Sequence, residues 1–337
     1  MLKMNLKTGS LAMSYLINEE KVRAITENCI FSPRRELSFV PDGIKPACCN
    51  FKLREYENTE DFISDIARYV KIAAEEGAQL LVFPQLIGEC ALTFMPGFKK
   101  IKKELAAANA GGRDSSAEAF RSVVQTTQGF VGEIFLNAFS MLAKSYKMIL
   151  AGGGSYTLSG DKIYNTIYCF DENGNVAGMQ NKIFLSAKEK KWGVSKGTSL
   201  TPAETSLGEV ALLFSESCRN YEPYYIARSL GCKLAIISAS PFAPETGCLT
   251  FRANETGLAI AVSGLSCKNE GLGINVQESA RIAVPLALTP DESGILKPGE
   301  GSVISARIDL TKLSHCFDVY TADMNLNFIK WLTEINE

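Results

Sequence analysis

The sequence of 337 residues contains a single histidine, His315, and this scarcity limits the chemistry that the chain can perform. A Ser-His-Asp or Cys-His mechanism would have to use that one side chain, which lies after the last predicted strand. A metal site built on histidines is disfavoured for the same reason. The ten cysteines form no CxxC pair and show no metal-like spacing, so we expect reduced thiols. We therefore predict neither a metal nor another cofactor.

The sequence also lacks long apolar runs and a large excess of charge of one sign. No apolar run reaches the ~18–20 residues of a membrane span. The N-terminus does not have the basic, apolar and small-residue order of a secretory signal. The formal net charge of −2 argues against a surface for nucleic acid or anionic membranes. We expect a cytoplasmic protein that binds neither nucleic acid nor a membrane.

What the chain does contain is enough apolar sequence for a sizeable core, with 46% hydrophobic and 21% charged residues. A strand over 47–53, a helix from 58 to 77 and a strand over 80–83 form the strand–helix–strand unit of an α/β layer. Residues 1–44 lack a clean periodicity, so we expect an N-terminal extension that packs on the main domain or on a partner. Residues 45–337 are predicted to form one domain.

Further helices and strands follow along the chain. We predict a helix over 130–146, a strand over 148–151 that ends at three glycines, and a hairpin over 163–180. The glycine run is not followed by Lys-Ser/Thr, so a phosphate loop is not expected. The remaining predicted elements are strands over 209–214, 233–238, 258–262, 276–284 and 302–308, and a helix over 222–230.

Polar residues collect where three of these strands end. Gln85 follows the strand over 80–83, Lys182 follows the hairpin, and Ser215 follows the strand over 209–214. In α/β folds, ligands and catalytic groups gather at the C-terminal ends of strands. We therefore predict a functional site formed by these three ends.

The order of these features resembles that of the nitrilase superfamily, the carbon–nitrogen hydrolases, over roughly Lys45 to Leu310. The segment EEGAQLLVFP at 75–84 resembles the family's EAGADLVVFPE, and DKIYNT at 161–166 resembles the strand before its lysine motif. Glu189 with Trp192-Gly193 is similar to the family's ERxxWG stretch. Residues 208–214, 231–240 and 252–255 are similar to the strand before its nucleophilic cysteine, its GAD-to-PSA strand and its RAxEN motif.

This resemblance implies which residues occupy the family's catalytic positions. Lys182 matches the catalytic lysine, Gln85 takes the place of the catalytic glutamate, and Ser215 takes the place of the nucleophilic cysteine. Ser217 replaces the acid that usually follows that cysteine. The residues expected to contact a bound substrate are Glu189, Ser217, Arg219 and Glu222.

The resemblance also implies a fold and an assembly. The expected fold class is α/β, as a four-layer α-β-β-α sandwich of the nitrilase type. In that family helices pair across a two-fold interface, so we expect a homodimer or a larger homo-oligomer.

The two replacements bear directly on the family's reaction. A thiolate attacks the substrate carbon, a carboxylate moves the protons, and an ammonium stabilises the oxyanion. Glutamine has no proton-accepting role near neutral pH. A serine hydroxyl is far less acidic than a thiol, whose pKa is ~8.5. We therefore expect hydrolysis to be impaired or absent.

The sequence is compatible with three functions. The leading one is a nitrilase-like protein that binds a small amide, carbamoyl or carboxylate compound without efficient hydrolysis. The second is a divergent amidase-type hydrolase with Ser215 or Cys218 as nucleophile and Lys182 beside it. The third is a structural subunit with a collapsed pocket.

Side chains around the pocket separate these functions. Without a carboxylate partner, Lys182 would favour binding of an anion or a polarised carbonyl. Glu189 could instead supply the counter-charge that a glutamate at position 85 would have provided. Glu89, four residues beyond Gln85, is a possible stand-in carboxylate, although a solvent-exposed side chain is the favoured interpretation. A pocket filled by Phe184 or Trp192 would leave only the structural subunit.

Overall fold

The computed structural model of the protein describes residues 2–242, 247–269 and 274–322. Its helices are α1 (Leu2–Leu16), α2 (Glu19–Asn28), α3 (Thr59–Glu75), α4 (Phe98–Ala110), α5 (Arg113–Tyr146), α6 (Ala187–Lys191), α7 (Glu222–Ser229), α8 (Leu249–Thr256) and α9 (Leu310–Ala322). Its strands are β1 (Gly43–Ile44), β2 (Pro46–Leu53), β3 (Leu80–Phe83), β4 (Ile149–Ser159), β5 (Lys162–Phe170), β6 (Val176–Asn181), β7 (Ala203–Thr205), β8 (Gly208–Phe214), β9 (Leu234–Ser238), β10 (Ala259–Val262), β11 (Gly264–Asn269), β12 (Ile274–Glu278), β13 (Arg281–Ala283), β14 (Ile295–Lys297), β15 (Val303–Ser305) and β16 (Ile308–Asp309).

Two mixed sheets form the centre of the fold. The first has the strand order β12-β11-β2-β3-β4-β5-β6, with β15 paired to β2. The second has the order β14-β13-β10-β9-β8-β7. Strands β2, β3 and β4 are parallel in the first sheet, and β8, β9 and β10 are parallel in the second. The C-terminal ends of each parallel group therefore lie at one edge of its sheet.

The sheets pack face to face through apolar side chains and are covered by helices on their outer faces. Val82 and Ile149 of the first sheet belong to the same buried cluster as Leu212 and Ile236 of the second. Helices α3 and α5 cover the first sheet, and α7 and α8 cover the second. Strands buried on both faces consist mainly of apolar residues, which explains the runs at β3, β9 and β10. The predicted four-layer α-β-β-α architecture is confirmed.

Residues 2–44 contain two helices that pack on the rest of the chain, followed by β1, which pairs with β16. Leu6 of α1 and Val22 of α2 are fully buried in the core cluster that includes α3 and α5. Asn18 caps α2, because its side-chain oxygen accepts a hydrogen bond of 2.9 Å from the Lys21 N–H. The segment thus contributes to the core, while a domain boundary between residues 44 and 45 stays a prediction.

Strand β4 does not end at its glycines, as the sequence had indicated, but continues to Ser159. The pairing with β5 shifts register between Gly152 and Ser155, so the glycines form a bulge within the strand. Gly154 has a φ of +107°, and a Cβ there would lie 1.9 Å from the Thr166 carbonyl oxygen. The prediction of a strand end was wrong because close backbone approach, rather than termination, requires glycine here.

Three other predicted boundaries also differ from the structure. Helix α5 begins at residue 113 rather than 130. The single strand expected over 276–284 is two strands, β12 in the first sheet and β13 in the second. Between them, the Ala280 N–H donates to Asn50 Oδ1 at 2.7 Å, which fixes the crossing from sheet to sheet. The segment 302–308 likewise contains β15 and the start of β16, which pair with β2 and β1.

Candidate functional site

Lys182 is the centre of a buried polar cluster. Its Nζ lies 3.0 Å from Gln85 Oε1 and 2.9 Å from Glu189 Oε2. The same nitrogen lies 2.6 Å from Glu216 Oε1. The side chains of Lys182 and Glu189 are 0% exposed, and that of Glu216 is 7% exposed. Because an ammonium group has three N–H donors, these three neighbours can occupy all of them.

Strand ends from both sheets bring the cluster together. Gln85 lies two residues after β3, Lys182 directly follows β6, and Glu216 lies two residues after β8. The Gln85 N–H donates to the Ala239 carbonyl at 3.1 Å, so the ends of β3 and β9 are joined across the sandwich. The geometry agrees with the principle that polar groups gather at strand C-termini in α/β folds.

Glu189 is held in place by the start of α6. The backbone N–H and the hydroxyl of Ser186 donate to Glu189 Oε2 at 2.9 and 2.8 Å. The Ser186 hydroxyl oxygen in turn accepts from the Glu189 N–H, which completes a capping box. The carboxylate is therefore oriented before any ligand binds, and both of its oxygens contact Lys182 Nζ, Oε2 at 2.9 Å and Oε1 at 3.0 Å.

Asn165 of β5 links two members of the cluster, and site prediction had not included it. Its Nδ2 donates to Gln85 Oε1 and to Glu189 Oε1, each at 2.8 Å. The Gln85 oxygen thus accepts from both Asn165 and Lys182, while its Nε2 donates to the Ser238 carbonyl at 3.3 Å. These bonds fix the orientation of the glutamine amide.

Glu216 is the second site residue that sequence reasoning missed. Its Oε1 accepts from Lys182 and also from the Ser240 hydroxyl, at 2.7 Å. The available signal was a carboxylate directly after Ser215, at a position to which the family resemblance assigns no role. With Glu189, it gives the cluster two carboxylates against one ammonium. Lys182 is therefore not a lone charge, and Glu189 supplies counter-charge as the sequence had suggested.

The structure places Ser215 and Ser217 at buried positions in one short turn. Both lie in the 3-10 helix Ser215–Arg219, where their side chains are 1% and 3% exposed. The Ser217 carbonyl accepts a hydrogen bond of 3.0 Å from the Asn220 N–H. Burial of Ser215 beside the Lys182 cluster is compatible with a structural role and with a ligand contact.

Cys218 is directed towards the helices over the second sheet. Its Sγ accepts a hydrogen bond of 3.7 Å from the Tyr224 hydroxyl and belongs to the apolar cluster between that sheet and α7 and α8. Burial raises the pKa of the Cys218 thiol to about 12, so the thiolate is scarce near neutral pH. These features argue against Cys218 as a nucleophile.

Arg219 and Glu222 are not brought into the cluster. Both side chains are exposed, at the end of the 3-10 turn and at the start of α7. Neither lines the cavity that adjoins Lys182. The physical reason is that the chain leaves the sheet edge within four residues of Ser215, which carries later positions to the surface.

A cavity of about 270 Å³ lies against the cluster without including it. Leu86, which lines the cavity, directly follows Gln85 in the chain. Tyr156 also lines it and is the cross-strand partner of Asn165, so these two side chains lie on one face of the sheet. The cavity and the cluster therefore share a wall, and neither Lys182 nor Ser215 contributes to the cavity lining.

The cavity remains open despite the aromatic side chains nearby. Trp192 forms part of its wall, and Phe184 is not among the lining residues. Neither ring fills this cavity, but the cavity is not the one expected at the predicted catalytic residues. The four predicted residues Gln85, Lys182, Glu189 and Ser215 do not open onto it, because each is at most 1% exposed.

Glu89 lines this cavity, so the prediction of a solvent-exposed glutamate was wrong. The 3-10 turn Gly88–Leu92 after β3 directs the side chain inward, where Oε1 accepts from the Tyr156 N–H at 2.9 Å. Burial disfavours the ionised carboxylate and raises the pKa of Glu89 to about 7. This carboxyl group can therefore be neutral or charged near neutral pH.

Three buried polar atoms near the shared wall have no hydrogen-bond partner among the residues that the structure describes: Tyr156 OH, Asn165 Oδ1 and Glu216 Oε2. Burial of an unsatisfied polar group costs about 1–3 kcal/mol. Two of the three are acceptors only, and the third can donate as well. The cluster thus retains hydrogen-bonding capacity that its own side chains do not use.

Other kinds of site receive no support from the described part of the chain. Across 2–242, 247–269 and 274–322, no three His, Cys, Asp or Glu side chains converge as metal ligands. His315 lies exposed on α9. Within the same ranges, none of the helices is long and apolar enough to cross a membrane.

Comparison with known proteins places this geometry in a family context. The family model described as carbon-nitrogen hydrolase matches residues 47–254. The probable hydrolase YhcX of Bacillus subtilis (strain 168) is 23% identical over 248 residues, which are 70% of this chain and 44% of that protein. The chain thus spans less than half the length of this relative.

Solved structures share the fold at low identity. A carbon-nitrogen hydrolase from Helicobacter pylori G27 gives a TM-score of 0.63 at 15% identity, covering 86% of this chain and 98% of that one. Saccharomyces cerevisiae Nit3, of branch 10 of the nitrilase superfamily, gives 0.60 at 17%, covering 84% and 96%. A Glu-to-Gln, Cys-to-Ala double mutant of the amidase from Nesterenkonia sp. AN1, in complex with acrylamide, gives 0.59 at 18%, covering 87% and 98%. At these identities the likeness shows the fold alone.

Proposed function

The chain belongs to the carbon–nitrogen hydrolase family, and we propose that it binds a small amide, carbamoyl or carboxylate ligand without efficient hydrolysis. The observation that carries this proposal is that the N–H donors of Lys182 are directed at protein acceptors. Stabilisation of an oxyanion requires donors directed at the place where charge develops. In this cluster a donor becomes free only if Gln85, Glu189 or Glu216 gives way.

The replaced side chains support the same proposal. Gln85 occupies the position that the family resemblance assigns to the catalytic glutamate, and Ser215 the position of the cysteine. The amide of Gln85 is committed to Lys182, Asn165 and Ser238, and it has no proton-accepting role near neutral pH. The proton transfers of the family's reaction therefore lack their usual agent.

A relative provides an analogy for ligand binding under these conditions. The Nesterenkonia amidase holds acrylamide when a glutamate is replaced by glutamine and a cysteine by alanine. We infer by analogy that a site of this fold with glutamine and without the thiol can retain an amide. The cavity of about 270 Å³ beside the Lys182 cluster offers a place for a compact ligand.

The main alternative is a divergent amidase-type hydrolase with Ser215 as nucleophile. An amide, carbamoyl and nitrile hydrolysis screen, read out as released ammonia, distinguishes it from binding alone. We expect no turnover, together with ligand-dependent increases in Tm. Turnover that disappears in Ser215→Ala but persists in the exposed control variant Glu204→Gln would contradict the binding-only proposal.

The reciprocal experiment restores the family's side chains. We expect Gln85→Glu with Ser215→Cys to remain inactive, because Glu216 would still occupy Lys182 and a third carboxylate would join the cluster. The triple variant that adds Glu216→Gln removes the carboxylate that contacts the Lys182 ammonium. Turnover should first appear in this triple variant. Activity in the double variant alone would show that Glu216 does not restrain Lys182.

We also propose a homodimer, or a larger homo-oligomer, formed through the helices of the second sheet. Tyr221, Ile226 and Leu230 in and around α7, and Phe251 of α8, are large apolar side chains exposed on this layer. Apolar surface of this kind is typical of an interface. Sedimentation should show an oligomer for the unmodified chain and a smaller species for Ile226→Asp. The variant should still unfold in a cooperative thermal transition, which shows that it is folded.

A further inference from the structure

The cavity beside the Lys182 cluster combines an apolar wall with one inward-facing carboxyl group. Ala119, Val123 and Val124 of α5 line one side of it. Glu89 lines the side next to β4, where the Tyr156 N–H anchors one of its carboxyl oxygens. A mainly apolar pocket with a few placed polar groups is the usual form of a small-molecule site.

Five aromatic rings border the same space, namely Phe98 and four others that contact one another. Phe120 stacks on Trp192, with ring centroids 4.8 Å apart and planes 15° apart, and meets Tyr156 edge-on, also at 4.8 Å. Phe242 meets Trp192 edge-on at 5.3 Å. All four rings line the cavity. Surfaces of this kind suit a planar ligand body, and the faces of aromatic rings attract cations.

The charges around the cavity favour hydrogen-bond donors at its inner end. The carboxylates of Glu189, Glu89 and Glu216 all contribute to raising the pKa of Tyr156, after the larger effect of burial. A ligand carboxylate would meet this negative field and the Glu89 carboxyl group together. An amide can donate to Glu89 in its ionised form and accept from it in its neutral form.

Basic side chains lie on the outer side of the lining. Arg54 pairs with Asp61 at 3.0 Å, and Lys102 pairs with Glu55. Lys268 also lines the cavity, and its side chain is exposed to solvent. The charges of Arg54 and Lys102 are thus balanced by neighbouring acids, and that of Lys268 is screened by water. The inner end of the cavity, rather than its outer side, is therefore expected to decide which head group binds.

We propose that this cavity is a binding site for a compact, planar ligand whose amide, amidine or amine head group is held by the Glu89 carboxyl group. The inference rests on the proposed function, since it names the ligand class and the anchoring residue. It moves the anchor from the sealed Lys182 cluster to Glu89, and it excludes carboxylates from the preferred ligands.

Three probes of nearly equal shape test this proposal: benzamidine, benzamide and benzoate, measured by calorimetric titration with the full-length chain. We expect benzamide and benzamidine to bind at least tenfold more tightly than benzoate. In Glu89→Gln, whose amide oxygen can still accept from the Tyr156 N–H, the advantage of benzamidine over benzoate should fall at least tenfold. The matched variant Glu204→Gln, at an exposed position outside the cavity, should leave the order unchanged.

A second variant tests the cavity itself. Ala119→Leu adds volume to the wall and should weaken the binding of all three probes together. Tightest binding of benzoate, or an order unaffected by Glu89→Gln, would overturn the role of Glu89 while the proposed function stands. Binding unaffected by Ala119→Leu would overturn the location. No binding of any probe would overturn this inference, whereas the proposed function is decided separately by the wider hydrolysis and Tm screen.

Discussion

Restoring a glutamate at position 85 is expected to destabilise this chain, although the family resemblance places a glutamate there. Gln85 Oε1 and Glu216 Oε1 both contact Lys182 Nζ, at 3.0 and 2.6 Å, and Glu189 contacts it as well. Gln85→Glu would therefore add a third carboxylate around one buried ammonium. It would also remove the donor that now reaches the Ser238 carbonyl.

The size of the effect follows from the distances around Lys182. Two oxygens that share one nitrogen at these distances lie about 5 Å apart, and unit charges at that separation repel by about 3 kcal/mol at an effective dielectric constant of ~20. Desolvation of the new carboxylate and its attraction to Lys182 are common to both backgrounds, with and without Glu216→Gln. A double-mutant cycle cancels these contributions and isolates the repulsion between positions 85 and 216.

Urea unfolding at pH 8 of the unmodified chain, Gln85→Glu, Glu216→Gln and the double variant measures this coupling. We expect Gln85→Glu alone to lower the free energy of unfolding by several kcal/mol, and this loss to be about 3 kcal/mol smaller when Glu216→Gln is present. A parallel cycle of Gln85→Glu with Glu204→Gln should be additive. A coupling below about 0.5 kcal/mol would refute the assignment of Glu216 as the counter-charge of Lys182.

Three further predictions address other parts of the fold. The folded-state pKa of Glu89 is raised from 4.5 to about 7, so the neutral form is favoured on folding and stability is lost as pH rises through this interval. The free energy of unfolding of Glu89→Gln, relative to that of the unmodified chain, should therefore rise by about 2 kcal/mol between pH 5 and pH 8, as measured by urea unfolding. A difference between the two proteins that does not change with pH would contradict this. Leu6→Ala should lower the free energy of unfolding by about 2–4 kcal/mol, whereas a loosely attached N-terminal segment would show no change. Gly154→Ala should lower Tm by far more than Gly160→Ala, because a Cβ at Gly154 meets backbone at 1.9 Å and one at Gly160 meets nothing within 4 Å, and equal shifts would contradict the bulge.

The layers of the fold were accessible to sequence reasoning because they depend on local patterns. Strands β3 and β9 are continuous apolar runs, and they lie within one or two residues of their predicted limits. Helix α3 begins at an Asn58 cap, with the side-chain oxygen accepting from the Asp61 N–H at 2.8 Å. Such features are decided within a few residues of the chain.

The errors occurred where distant residues decide the conformation. The break between β12 and β13 depends on Asn50, which lies 230 residues away and accepts the Ala280 N–H. The glycine bulge of β4 depends on the Thr166 carbonyl in the next strand. Neither partner is visible in the local sequence, so a continuous strand and a strand end were the natural predictions.

The site shows the same division. The positions of Gln85, Lys182 and Ser215 at strand ends could be predicted, because the ends of parallel strands meet at one edge of a sheet. The direction of each side chain after the strand could not. Glu89 and Glu216 both lie in 3-10 turns that follow strands, and these turns direct them into the cavity and onto Lys182. Two inward-facing carboxylates were therefore missed or misplaced.

The distribution of charge explains how Lys182 can remain buried beside a neutral amide at position 85. A buried ammonium without a partner is strongly destabilising, so some carboxylate must accompany it. Glu189 and Glu216 fulfil this requirement from α6 and from the turn after β8. Position 85 is thereby free to carry a neutral amide that links Lys182, Asn165 and the end of β9. The cluster then acts as a junction between the two sheets, in which two carboxylates and one amide surround the buried ammonium.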